Sequence, residues 1–267
     1  MRFLKVGGVI LGALIITTLG INAADVFTGN SGSMLGQMIA TEEGGCPSGM
    51  VAVVVGKTFS CIDIYEASAG EECPNAIPRQ GVHTQDNINE AECSAVSELG
   101  TQPWTHVTRE QAQVLCMRAG KRLPTASEWH TIALGTPDTS SSCNTAGSSA
   151  SPSGGLENCR SAVGVYDAIG NVWEWTEDDV IEGVYDGRAL PAEGYVTQVA
   201  SDGVATVSDT SPSEQFASDY IWSQQTGAYG VLRGGFYGSG EDAGVYAVQA
   251  KIAPTTATVA IGFRCIL

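Results

Sequence analysis

Eight cysteines in a chain that opens with an export-type leader limit the possible folds more than any other feature. They are Cys46, Cys61, Cys73, Cys93, Cys116, Cys143, Cys159 and Cys265, an even set in which no two form a CxxC pair. In an exported chain such a set reads as a disulfide framework. Zinc would require close cysteine pairs or nearby histidines, and His83, His106 and His130 follow no ligand spacing. The leader carries Arg2 and Lys5, followed by an uncharged run over 6–24, VGGVILGALIITTLGINAA. Residues 1–24 therefore read as a signal peptide, ending at Ala23 or Ala24, or as an N-terminal membrane anchor. In both cases the remainder is placed outside the cell or on its surface. Residues 25–45 are small, polar and aperiodic, as in a linker or stalk, and the folded domain is expected over 46–267.

Composition narrows the possible partners. Thirteen Lys and Arg stand against 29 Asp and Glu, a formal net charge of -16, which repels phosphate backbones and excludes nucleic acid as a natural ligand. Thirty-three glycines with only 7% aromatics indicate a loop-rich fold.

Local patterns predict several elements. MVAVVV, then Gly56-Lys57, then FSCIDIY reads as a β-hairpin that a Cys46–Cys61 bond would staple. In THVTREQAQVLCMRAGK, Thr108 and Gln111 form a capping box, Ala112, Leu115, Cys116 and Ala119 form one stripe, and Gly120 is the stop. The same grammar repeats with Thr125 and Glu128 as the box, Trp129, Ile132 and Ala133 as the stripe, and Gly135 as the stop. A local Cys143–Cys159 bond is expected to order the Ser- and Gly-rich stretch it brackets. In GVYDAIGNVWEWTED, Trp173 and Trp175 alternate with Val172 and Glu174, predicting a half-buried strand. Residues 189–232 contain no Lys or Arg and read as an acidic surface insertion.

The ordered motifs AGKRLPTASEW, GVYDAIGNVWEWTED, VLRGGFY and IGFRC resemble the formylglycine-generating-enzyme (sulfatase-modifying factor) type of domain. The resemblance implies an α+β, C-type-lectin-like fold, loop-rich and disulfide-stapled. It also implies a Cys116–Cys265 bond spanning roughly 150 residues, an entropic constraint of about 3–5 kcal/mol. Cys73–Cys93 then follows by elimination. Arg122, Glu128, Asn171, Trp173, Glu174, Trp175 and Arg264 are expected to be scaffold. The family's oxidase chemistry uses a copper-binding cysteine pair, and the matching positions hold Ser239 and Gly244, which supply no thiolate. Iron-dependent relatives need a histidine cluster. No cofactor is required by this reading, although the family's calcium site near GNVWEW would use Asn171 and Glu174 as oxygen ligands.

The C-terminal segment 232–267 resembles the variable region of diversity-generating retroelement target proteins, in which RGG, AGVFAL, AP and NIGFR frame changing positions. That resemblance implies a non-enzymatic, surface-displayed protein that binds a protein or other cell-surface ligand. Phe236, Gly238, Ser239, Asp242, Gln249, Lys251, Ile252 and Thr256 are the expected varied positions, with Tyr237, Val245 and Tyr246 exposed beside them. Gln249 and Lys251 fit least well, because changing adenines in an AAC or AAT codon reaches neither. Aromatic side chains there give contact area at low rotamer entropy, and Ser239, Asp242 and Thr256 give adaptable hydrogen bonds. Two other readings compete: a formylglycine-generating-type oxidase with its thiols elsewhere, and an invariant structural surface protein.

Overall fold

The two capping boxes legible in the sequence both close in the computed structural model, which describes residues 45–55 and 58–267. The Thr108 and Thr125 side chains accept from the backbone N–H groups of Gln111 and Glu128, whose side chains accept in return from the cap residues' own N–H groups. The first of these helices spans Arg109–Arg118 and the second Ala126–Ala133. Gly120 and Gly135 follow with φ of +71° and +82°, the left-handed geometry of a helix stop. The leader, residues 25–44 of the expected stalk and the Gly56-Lys57 turn lie outside the described residues. No helix among the described residues is long and apolar enough to cross a membrane.

Ser48–Leu267 forms one compact unit. It begins with the expected hairpin, β1 (Met50–Val55) against β2 (Thr58–Asp63), antiparallel in register from Met50↔Asp63 to Val55↔Thr58. A small pair, β3 (Ala67–Ala69) with β4 (Ala95–Ser97), encloses a helix that the sequence pattern did not reveal, α1 (Gly81–Asn89). Helix α1 has no apolar stripe. Its buried residues are Thr84 and Asn87, held by Trp104 Nε1 donating to Thr84 Oγ1 (3.1 Å) and Asn87 Nδ2 donating to Asn75 O (2.9 Å). The Cys73–Cys93 bond brackets this segment. The two capped helices are α2 and α3.

The main sheet contains β5 (Trp173–Ile181), β6 (Val184–Tyr185), β7 (Arg188–Ala189), β8 (Gly194–Val199), β9 (Ala205–Asp209), β10 (Tyr220–Ser223), β11 (Ala228–Arg233) and β12 (Val248–Ile252). They run β7-β6-β5-β11-β12-β10-β8-β9, and β13 (Ile261–Gly262) adds in parallel to β5. Two sequence expectations change here. Residues 173–176 are all buried, so β5 is covered on both faces. Trp173 and Trp175 enter a core with Leu115, Cys116 and Phe263, while Glu174 hydrogen-bonds Trp129, a member of the second core. Residues 189–232, expected as a surface insertion, instead supply β8 to β11. Their inward positions Val196, Ile221 and Val231 pack with Val248 and Ala250 of β12, because apolar alternation outweighs an acidic overall composition.

Disulfides link Cys73 to Cys93, Cys116 to Cys265 and Cys143 to Cys159. Cys46 and Cys61 are also oxidised, and no described cysteine is free. One buried ion pair joins the sheet to the C-terminus. Arg264 Nε donates to Glu174 Oε2 (2.7 Å) and its Nη2 to Glu174 Oε1, with both residues at 1% exposure or less. The guanidinium also donates to the carbonyls of Tyr166 (2.9 Å) and Asp63 (3.2 Å).

Two outcomes follow for unfolding in denaturant. Replacing Cys116 and Cys265 together with Ala is expected to cost about 3–5 kcal/mol, more than the same change at Cys143 and Cys159, because the closed loops differ, 149 residues against 16. Glu174→Ala leaves Arg264 buried without its partner and is expected to cost about 3–5 kcal/mol, whereas Arg122→Ala, in a half-exposed pair with Glu128, costs under about 1 kcal/mol.

Candidate functional site

The segment after β11 is fixed by its backbone. Gly234 and Gly235 take φ of +89° and +91°, and a Cβ on Gly234 would stand 2.4 Å from Ala168 O, so the chain passes closer to the scaffold than a side chain permits. Beyond it, Tyr237 N donates to Asn171 O (3.0 Å) just before β5, and Gly240 N donates to Thr145 O (2.8 Å), lashing the loop to the stretch stapled by Cys143–Cys159. Ser239 closes a tight turn: its Oγ accepts from Phe236 N (3.0 Å) and its N–H donates to Phe236 O (3.0 Å). A short 3-10 turn over Gly240–Asp242 leads to β12, an interior strand paired on both sides.

On this frame the nominated residues fall into two sets. Phe236 and Tyr237 are half-buried and meet edge to face at 5.1 Å, Gly238 is exposed, and Ser239 and Asp242 are half-exposed. On β12, Gln249 and Lys251 alternate with the buried Val248 and Ala250, so both face outward. Lys251 Nζ pairs with Glu193 Oε2 at 2.7 Å, Ile252 packs its apolar body against the core, and Thr256 lies half-exposed in the loop after β12. Val245, expected as exposed, is buried in the α3 core at 8% exposure. Tyr246 is half-buried, its ring 5.1 Å from Phe216 and 5.5 Å from His130, because the chain must dive inward there to enter β12.

Three aromatics not nominated from the sequence share the outward face. Trp222 stands opposite Gln249 across the parallel β10–β12 pairing, Tyr220 meets Trp222 at 4.7 Å, and Tyr195 meets Tyr220 at 5.1 Å. They belong to the stretch read as an insertion. The alternation of half-buried Tyr220 and Trp222 with buried Ile221 and Ser223 is the signal that would have revealed them.

Gly244, which the family resemblance sets against an oxidase cysteine, has no room for a side chain. A Cβ there would lie 1.8 Å from Asp219 Oδ1 and 2.4 Å from Asp138 Oδ2. Asp219 is fully buried; its Oδ2 accepts from Tyr246 N (2.6 Å), and its carboxyl shares a hydrogen bond with that of Asp138. Burial raises the pKa of both acids, Asp138 to about 6 and Asp219 well above the ordinary range, with the charge of Asp138 adding to the effect on Asp219. Arg233 is buried beneath the same segment. It lies 5.1 Å over the Trp129 ring and donates to Val245 O (2.8 Å) and Gly203 O (3.2 Å), and burial lowers its pKa to about 10. Burial, reinforced by Arg233, lowers the neighbouring His130 to about 4 and keeps its ring neutral.

The two residues expected as calcium ligands are engaged elsewhere. Glu174 spends both oxygens on Arg264, and Oε2 also accepts from Trp129 Nε1 (2.7 Å). Asn171 Oδ1 accepts from Ser151 N (2.8 Å) and Asn144 Nδ2 (3.0 Å), while its amide nitrogen donates to Glu66 Oε2 and Ser151 O. With a guanidinium already on the carboxylate, this pair does not fit a calcium site. Among the described residues no three His, Cys, Asp or Glu side chains converge as a metal-binding group.

The acid pair makes stability depend on pH. Both folded-state pKa values lie above the unfolded value, so the folded state holds protons that the unfolded state releases, and stability falls as pH rises from about 4, through about 6 for Asp138 and further for Asp219. Glu66 and Asp167, also raised mainly by burial, act in the same direction. Asp219→Asn keeps an acceptor for Tyr246 and removes one acid. Chemical denaturation at pH 5 and pH 8 is expected to show a stability difference smaller than that of the unmodified chain by on the order of 1–2 kcal/mol.

Residues 48–267 match the family described as sulfatase-modifying factor enzyme 1-like domain. Hercynine oxygenase of Mycolicibacterium smegmatis is 26% identical over 152 residues, which cover 51% of this chain but only 30% of that enzyme. Among solved structures, the Major Tropism Determinant U1 variant is similar over 83% of this chain and 52% of its own, with 17% identity and a TM-score of 0.46. Treponema denticola variable protein 1 is similar over 83% of this chain and 99% of its own, with 16% identity and a TM-score of 0.44. The family match covers most of the chain, and the chain therefore belongs to the sulfatase-modifying factor enzyme 1-like domain family, with its C-type-lectin-like fold.

Proposed function

We propose that this chain is a non-enzymatic, surface-displayed ligand-binding protein whose recognition surface is carried by residues 236–256. One observation carries the reading. The backbone of this segment is bonded to scaffold on every side, through Tyr237, Gly240 and both edges of β12, while Gly238, Ser239, Asp242, Gln249, Lys251 and Thr256 reach solvent. A rigid backbone with outward side chains tolerates change in what it presents, as a pre-organised paratope does. Phe236 and Tyr237 supply aromatic area at the edge of the surface, and Tyr195, Tyr220 and Trp222 extend it. Val245 and the inner side of Tyr246 act as frame.

The oxidase alternative has no support in this geometry. Ser239 is consumed in closing a turn, Gly244 is packed under two carboxyls, and every described cysteine is oxidised. Export by residues 1–24 as signal or anchor, with 25–45 as stalk, completes the reading, and the ligand is a protein or other cell-surface molecule.

Two measurements test it. Simultaneous randomisation of Gly238, Asp242, Gln249, Lys251 and Thr256 is expected to leave most variants folded, with thermal midpoints within about 2–4 °C of the parent, and to yield binders to unrelated protein targets. Collapse of most variants would sink the display reading. Sequencing the surrounding locus is expected to show a near-copy of the codons for 232–267, differing mainly at adenines, beside a reverse transcriptase gene.

A further inference from the structure

A cleft of about 610 Å³ opens where the loop before α1, the loop before α2, residues 149–150 and the loop after β12 meet. Hydrogen bonds fix its walls. Thr105 Oγ1 donates to Pro78 O (3.5 Å), and His106 N donates to Thr258 O (2.8 Å). Ser153 N donates to Thr101 O (2.8 Å), joining the segment that carries Ser149 to the one that carries Gln102. A cleft tied in this way has its shape before a ligand arrives, and its volume lies in the usual range of small-molecule sites.

Its lining runs against the composition of the chain. Acidic residues outnumber basic ones 29 to 13 overall, yet among the described residues no Asp or Glu lines the cleft, whereas Arg79 and His106 do. The donors are unengaged. Arg79 is exposed, and its guanidinium makes no ion pair or hydrogen bond among the described residues; its backbone N–H alone is held, donating to His83 Nδ1 of α1 (3.3 Å). The half-buried side chains of Gln102 and His106 likewise have no hydrogen-bond partner among the described residues. His106 stands at φ +56°, uncommon for a residue with a Cβ, and glycine would take that backbone freely, so the chain path does not call for an imidazole there. Burial and then the neighbouring His83 lower its pKa, and no carboxyl opposes them. Beside these donors, Ile77 and Val259 remain 46% and 50% exposed.

A guanidinium fork, an imidazole and a primary amide offer several N–H donors with one full positive charge. Apolar walls surround them. The combination matches a carboxylate on an apolar body, two oxygens for the fork and the body against Ile77 and Val259. We propose that this cleft, with Arg79, Gln102 and His106 as donors and Ile77 and Val259 as its apolar rim, binds an organic carboxylate. The site shares no residue with the recognition surface at 236–256 and does not rest on that reading. A free small acid and the C-terminus of a peptide both carry this chemistry.

Titration of the full-length chain, isotope-labelled at histidine, with phenylacetate tests the site through the imidazole resonances. Those of His83 and His106 are expected to move saturably while that of His130, packed against Tyr246, stays in place. Phenylacetamide, the same body without the charge, is expected to bind at least tenfold more weakly. Arg79→Gln, a change at an exposed residue, is expected to weaken phenylacetate at least tenfold. His106→Gly, read at His83, is expected to do the same while its thermal midpoint stays within about 2–4 °C of the parent, because the backbone there suits glycine. A peptide acetyl-Leu-Leu-Phe with a free C-terminus separates the sources: binding tighter than that of phenylacetate assigns a peptide end, and weaker binding assigns a free small acid. No saturable movement at His83 and His106, equal binding of phenylacetamide, or unchanged affinity in either variant overturns the proposal. So does inorganic phosphate that binds more tightly than phenylacetate.

Discussion

A guanidinium with no exposed surface holds this protein together. Arg264 lies three residues from the C-terminus, yet it grips Glu174 in the middle of the sheet and carbonyls from the N-terminal hairpin and the 160s loop. The cost of burying that charge is offset only while every partner is present. Three carboxyl groups, Glu174, Glu66 and Asp167, bias its surroundings toward the charged form. The neighbouring Cys265 adds a covalent tie to α2. Distant parts of the chain thus meet around one cation, and a fold with few long regular elements obtains a defined centre.

Much of the scaffold was legible because it obeys local rules. The capping boxes of α2 and α3, the alternation of β1 and β2, and the cysteines bracketing 143–159 each depend on residues close together in sequence. The Cys116–Cys265 pairing was legible only through family resemblance, since no local pattern reports a contact across 149 residues. What escaped was held by other means. Helix α1 buries a threonine and an asparagine through hydrogen bonds, leaving no hydrophobic periodicity to read. The strands β8 to β11 were hidden by composition: the stretch has acids but no Lys or Arg, while its inward positions are ordinary Val and Ile.

The candidate site was half legible for a related reason. The C-terminal resemblance nominated Gln249 and Lys251, the two that fit it least well, and both occupy half-exposed positions of β12 between buried neighbours. It misjudged Val245, because a residue just before a strand is placed by the path of the backbone, here pulled in by the Arg233 bond to Val245 O. Nor could spacing reveal Tyr195, Tyr220 and Trp222, which reach the same face through strand pairings that skip along the sequence. Arg233 also donates to Gly203 O, so the acidic stretch and the C-terminal loop are positioned by one side chain. The middle of the chain and its end are therefore tied together through Arg233.

Gly244 fixes how the acid pair and β12 are joined. Asp219 and Asp138 fill the space a Cβ would need there, so position 244 admits no side chain while both acids keep their places. Asp219 in turn holds the Tyr246 amide just ahead of β12, and cannot move without freeing it. The absent side chain is thus a structural part in its own right: the entry to the strand is set by the room left for two carboxyls.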